Sequence, residues 1–167
     1  MDIRINGIVP VSFVNGEGSR SVVFVQGCPH HCPGCHNPQT HDPCGGTLTT
    51  TEEVARCLLH HRLLDGITLS GGEPFDQPEA CLELAKAAHA SGKNVWAFSG
   101  YTFEQLCADE RKKLLLQECD FLVDGPFIQA RRSPDCVYAG STNQRIINIK
   151  NSMDDKEIVL WKGSCKP

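Results

Sequence analysis

Apolar residues fall in short runs bounded by glycine, proline or polar residues, and these runs alternate with stretches of helical periodicity. Val11 to Val14 and Ser21 to Val25 read as two strands around Asn15-Gly16-Glu17-Gly18-Ser19. Asn-Gly is a strong turn signal, so an N-terminal hairpin is expected. The second strand ends at Gln26-Gly27-Cys28, and a polar loop rich in proline and glycine continues from Pro29 to about Leu48. Thr50 to His61 has helical spacing at Val54, Leu58 and Leu59, with Thr51 as the N-cap candidate. Ile67-Thr68-Leu69 reads as a strand broken by Gly71-Gly72-Glu73-Pro74. Pro78 to Ala90 reads as a helix, with proline near its start and Gly92 past its end. Val95 to Phe98 and Phe121 to Val123 are strand-like and end in Ser99-Gly100 and Asp124-Gly125-Pro126. Between them, Thr102 to Cys107 and Arg111 to Glu118 form one broken helix or two short ones. Arg145 to Ile149 and Glu157 to Trp161 read as late strands.

Strand followed by helix, repeated, implies βαβ units and a parallel sheet. A closed eightfold barrel typically takes about 250 residues. With 167 residues the chain suits an α/β fold of one domain, a partial open (β/α) barrel entered through the N-terminal hairpin. Its core is expected over about 5–149, with 150–167 as a C-terminal extension. Chemistry in such folds gathers at the C-terminal ends of the strands. Cys28, Gly71 to Pro74, Ser99-Gly100 and Asp124-Gly125 all lie at expected strand ends, and the cysteine loop follows the first barrel strand.

Composition narrows the classes. The formal net charge of −4 gives no basic footprint for nucleic acid. No apolar run approaches the ~20 residues of a membrane helix. The N-terminal segment has an early acid and no unbroken apolar stretch, so a cytoplasmic protein is expected. In that compartment ten cysteines point to metal binding or catalysis rather than to a disulfide framework. Cys28, Cys32 and Cys35 are clustered. Cys44, Cys57, Cys81, Cys107, Cys119, Cys136 and Cys165 are scattered and read mostly as small hydrophobes. For Cys136 and Cys165, ordinary thiols are favoured over a second metal site.

The loop Gly27-Cys28-Pro29-His30-His31-Cys32-Pro33-Gly34-Cys35-His36 places three thiolates within reach of one compact metal centre. Thiolates suit zinc and iron–sulfur clusters alike. Three ligands leave one metal position open for substrate, as catalytic metal sites do. A structural zinc with His30, His31, His36 or His41 as fourth ligand is the alternative. Otherwise these histidines read as solvated loop residues.

The cysteine loop, followed about 35 residues later by Ser70-Gly71-Gly72-Glu73-Pro74, resembles the radical S-adenosylmethionine superfamily. Asn15-Gly16-Glu17-Gly18-Ser19-Arg20, Phe24-Val25-Gln26-Gly27-Cys28 and Cys32-Pro33-Gly34-Cys35-His36-Asn37-Pro38 are similar to the activases of glycyl radical enzymes. Phe98 to Thr102, Asp120 to Phe127 and Gly140 to Arg145 resemble the branch serving the anaerobic ribonucleoside-triphosphate reductase. The resemblance runs from about Ile5 to Ile149. Gly34 stands where many superfamily members carry an aromatic residue.

The resemblance implies that Cys28, Cys32 and Cys35 hold a 4Fe–4S cluster. It implies reductive cleavage of S-adenosylmethionine and formation of a glycyl radical on a loop of the reductase. The electron donor would be a flavodoxin or ferredoxin. Gly71 and Gly72 are expected to let backbone approach the ligand, Glu73 to accept from its amino group, and Pro74 to fix the turn. Ser99 and Asp124 are candidate contacts to the ribose or methionine moiety, against a helix cap for Ser99 and a turn for Asp124. Asn143 and Arg145 are candidates to orient substrate or meet the partner, against a surface role for Arg145. An activase of the pyruvate formate-lyase type is the nearest variant, and a zinc-stabilised module without activity is the other alternative.

Overall fold

Strand β1 (Asp2–Ser12) begins well before the Val11–Val14 run that marks it in the sequence. Its inward residues, such as Ile3, are spaced around irregular pairing near Gly7 and between Val9 and Ser12, so the simple alternation is interrupted. It pairs antiparallel with β2 (Arg20–Val25), giving the expected hairpin. The computed structural model describes residues 1–155 and 157–162. Asp154 and Asp155 are described in backbone only.

Beyond the hairpin come β3 (Thr47–Thr50), α1 (Thr51–Leu58), β4 (Gly66–Gly71), α2 (Pro78–Ala90) and β5 (Asn94–Phe98). Then follow α3 (Phe103–Ala108), α4 (Glu110–Gln117), β6 (Phe121–Asp124), β7 (Arg145–Asn148) and α5 (Ile149–Asp155). The sheet has seven strands in the order β3-β1-β2-β4-β5-β6-β7. Its centre, β2-β4-β5-β6, is parallel, and both flanks are antiparallel.

Several expectations are corrected. The expected parallel sheet holds only for those four central strands. β3 straddles the end of the expected loop and the start of the expected helix, because a threonine-rich edge strand has no apolar run to reveal it. The cap of α1 is Thr50, not Thr51: its side chain accepts from Glu53 N while Glu53 reaches back, a reciprocal capping box. Glu157 to Trp161 forms only a bridge between Leu160 and Ile147, and Ile149–Asp155 is helical. Cys165 lies outside the described residues.

Each strand alternates between two environments. Leu69, Val95, Ala97 and Leu122 pack with Leu84, Leu106 and Leu115 in the helix-covered core. Trp96, Val123 and Ile146 face the other way, into an aromatic cluster with Phe121, Tyr138 and Trp161. Arg20 is fully buried there and lies against the Trp96 ring. Its guanidinium donates to Thr68 Oγ1 and to the Glu17, Ile67 and Asn94 carbonyls, so its charge is held by a closed set of acceptors. Phe24, Ser70 and Phe98 share this second, helix-free face, and a cleft opens at its C-terminal end. No helix among the described residues is long and apolar enough to cross a membrane.

Candidate functional site

The cleft encloses about 610 Å³ and is lined by Cys28, Cys32 and Cys35 together with Gly71, Gly72 and Ser99. All three cysteines therefore line one space at the ends of the parallel strands. The loop that carries them is closed at its base, where Gly27 N donates to Thr40 O at 2.8 Å and Cys28 N to His41 O at 3.2 Å. Within it, Cys35 N donates to Cys32 O, and Asn37 N donates to Cys35 Sγ at 3.4 Å. Burial pushes the Cys28 thiol up to about 11, although hydrogen bonding from the His30 main-chain N–H works in the opposite direction. A thiolate at that depth requires a neighbouring positive charge, which a bound metal centre supplies.

Cysteine thiols are ligands that iron–sulfur clusters and zinc both accept. Among the described residues, no three of His, Cys, Asp and Glu are close enough together to hold one metal ion. A multi-iron cluster spreads its cysteine ligands over several irons and so accepts wider spacing.

Gly71 and Gly72 are explained by the protein itself. A Cβ on Gly71 would lie 2.5 Å from Phe24 Cα, and its φ of +99° is one that side chains disfavour. A Cβ on Gly72 would lie 2.2 Å from Gly27 O. Gly72 N donates to Val25 O and Glu73 N to Gly27 O, both at 2.8 Å. The turn after β4 therefore packs on the exit of β2 and fixes the start of the cysteine loop. The loop base thus gives both glycines a structural reason beside the expected clearance for a ligand, and both also line the cleft.

Glu73 is fully buried behind this wall. Its Oε1 accepts from Ser99 Oγ at 2.9 Å and Phe75 N at 3.1 Å. Its Oε2 accepts from His30 Nε2 at 2.8 Å and Gly100 N at 2.9 Å. Pro74 is buried and starts a single helical turn through Asp76. Ser99 is no helix cap: its Oγ accepts from Tyr101 N, and the cap of α3 is Thr102.

Asp124 ends β6 but lies outside the cleft lining. It is buried, accepts from Phe103 N at 2.8 Å, and is paired with Arg145, which also forks onto Glu104. Hydrogen bonding from Arg145 lowers the Glu104 carboxyl to about 2, and the two carboxylates raise the Arg145 pKa. Arg145 is thus an internal clamp between β7, β6 and α3 rather than a free surface charge. Asn143 donates to Pro126 O at 2.8 Å.

His30 is the residue that sequence reasoning passed over. Its ring is largely covered and bonded to Glu73, against the expected solvated state. Its place two positions after Cys28 is visible in sequence, but its partner is 43 residues away. His31 and His36 are exposed, as expected. Cys136 also lines the cleft and is disulfide-bonded, which corrects its reading as an ordinary thiol.

A cleft lined by three cysteines lies at the end of the α/β sheet, and a family model described as a 4Fe-4S single cluster domain matches residues 14–147. The relatives narrow the class. The anaerobic ribonucleoside-triphosphate reductase-activating protein of Salmonella typhi is 34% identical over 158 residues, covering 89% of this chain and 100% of the relative. The protein of the same name from Escherichia coli K12 is 34% identical, covering 84% of this chain and 96% of its own length. That of Enterobacteria phage T4 is also 34% identical, covering 83% of this chain and 90% of the relative. The chain belongs to the family of anaerobic ribonucleoside-triphosphate reductase-activating proteins.

Proposed function

We propose that this chain is a radical S-adenosylmethionine enzyme that generates the glycyl radical of an anaerobic ribonucleoside-triphosphate reductase. Cys28, Cys32 and Cys35 would hold the 4Fe–4S cluster, and three protein ligands would leave it a position for the substrate's amino and carboxylate groups. The observation that carries this reading is that the three thiols open into one cleft beside Gly71, Gly72 and Ser99. When bound, the reduced cluster supplies the electron that splits S-adenosylmethionine into methionine and a 5′-deoxyadenosyl radical.

The protein's part is to bind, orient and exclude water. Gly71, Gly72 and Ser99 form the wall on which the ligand lies. Glu73 places a buried negative charge behind that wall, which favours the ligand's ammonium group. Pro74 and Asp124 act indirectly, Pro74 by fixing the turn and Asp124 by holding the end of β6 on α3 and β7. The helix-free face and the linear strand order fit a partial open barrel whose side admits a glycyl loop of the reductase. A flavodoxin or ferredoxin supplies the electron, and the site of action is the cytoplasm.

The test is anaerobic isolation, iron assay and reduction in the presence of S-adenosylmethionine. The expected outcome is a brown protein with about four irons per chain, release of 5′-deoxyadenosine, and a glycyl radical on added reductase by electron paramagnetic resonance. A colourless protein holding one zinc and releasing no 5′-deoxyadenosine refutes the proposal.

A further inference from the structure

His30 sits between two cluster ligands in sequence, yet its ring is committed to a carboxylate on a different strand end. Nε2 meets Glu73 Oε2 at 2.8 Å. An ionised carboxylate only accepts, so in a pair with ionised Glu73 the ring nitrogen is the donor. The same residue stands two positions after Cys28 and lines the cleft with it. One residue thus stands on the cysteine loop beside Cys28 and bonds the carboxylate behind the Gly71-Gly72 wall.

The surroundings are built around this ring. Gly100 leaves room for it: a Cβ there would lie 2.4 Å from His30 Cδ2. The Tyr101 ring meets it edge-on, with centroids 4.5 Å apart and planes at 74°. Tyr101 is braced in turn, its hydroxyl donating to Asp76 at 3.0 Å and Lys112 Nζ lying 3.7 Å over its ring. Lys112 also donates to Asp76 at 2.8 Å. A loop histidine with no task would not need a glycine, an aromatic platform and a buried carboxylate placed for it.

We infer that His30 is the positioning residue that couples the cysteine loop to the Glu73 carboxylate, so that binding of S-adenosylmethionine at the wall and the environment of the cluster at Cys28 influence each other through it. The inference rests on the function proposed above and adds to it the element that transmits between the two halves of the site. Such coupling is reciprocal: whatever the ligand does to the cluster, the cluster does to ligand affinity.

The experiment compares wild type with His30→Phe, which keeps a ring against Tyr101 but has no donor, and His30→Gln, whose amide can donate to Glu73. S-adenosylmethionine is titrated into each reconstituted protein, and the electron paramagnetic resonance spectrum of the reduced cluster is recorded with and without it. H30F is expected to bind S-adenosylmethionine about tenfold more weakly, the loss of one charge-assisted hydrogen bond, and to show a smaller ligand-induced spectral change. H30Q is expected to recover most of both. In the apo-proteins, amide exchange across Gly27–Cys35 is expected to quicken in H30F and return toward wild type in H30Q, a readout independent of cluster loading. Wild-type affinity and spectral response in H30F, or unchanged exchange if that variant holds no iron, overturns the coupling. A wild-type protein that neither binds nor cleaves S-adenosylmethionine overturns the function itself and the inference with it.

Discussion

Replacing Gly72 with alanine separates two reasons for a glycine at that position. The backbone there needs no left-handed angle, so alanine meets no conformational penalty, only contact. Its Cβ would lie 2.2 Å from Gly27 O, 2.9 Å from Gly27 C and 3.1 Å from Gly27 N, all main-chain atoms that no rotamer change can move aside. Forcing such an approach costs about 1–3 kcal/mol. The bonds from Gly72 N to Val25 O and Glu73 N to Gly27 O lie within the same contact, and loosening them adds about 1 kcal/mol each. Fewer unfolded conformations for alanine offset up to about 1 kcal/mol. The net destabilisation is about 2–4 kcal/mol, and at ~2–4 °C per kcal/mol for a domain near this size the midpoint falls by roughly 5–15 °C. Thermal and urea unfolding of the metal-free protein, followed by circular dichroism, reads this directly. Gly7→Ala is the control, since nothing lies within 4 Å of a Cβ there. It is expected to shift stability by no more than ~1 kcal/mol. If metal-free G72A unfolds like wild type and only its ligand binding suffers, the glycine serves the ligand and the loop-base argument is wrong.

Alanine at Cys28, Cys32 or Cys35 is expected to lower bound iron and abolish release of 5′-deoxyadenosine, whereas alanine at the exposed Cys44 or Cys57 leaves iron content unchanged in the same assay. Arg20→Ala strands the acceptors Thr68, Ile67, Asn94 and Glu17 around a buried gap and is expected to cost about 3 kcal/mol or more in urea unfolding. A loss below about 1 kcal/mol would show that water satisfies those groups. Glu104 has its carboxyl lowered from 4.5 to about 2 by Arg145, so its stabilising contribution is present above pH 4.5 and is lost as pH falls toward 2. The contribution is small, because the side chain is 58% exposed. The gap in urea midpoint between wild type and Glu104→Gln should therefore close over that acid range; a gap that widens toward pH 2 contradicts the ion pair.

Much of the architecture could be read directly from the chain because the signals were local. Proline at the start and glycine past the end bounded α2 at Pro78 and Ala90, and the apolar runs at Leu69, Val95 and Leu122 marked the buried parallel strands. The cysteine spacing and the Gly-Gly-Glu-Pro turn were local too: Cys28, Cys32, Cys35, Gly71 and Gly72 line the cleft, while Glu73 and Pro74 are buried outside its lining. β3 was missed because a short edge strand buries too little to leave an apolar pattern. The antiparallel pairings of β3 with β1 and of β7 with β6 were missed because strand direction depends on the partner, not on the strand's own residues.

Local sequence alone fixed which side chains have the chemistry: three thiols on a constrained loop, and a turn with no room for side chains. Only the folded chain decided how they are used. It set Gly72 against Gly27, turned Asp124 toward Arg145 rather than the cleft, and brought His30 to Glu73 from 43 residues away. Contacts between distant segments depend on how the sheet orders its strands, and no short window of sequence contains that order.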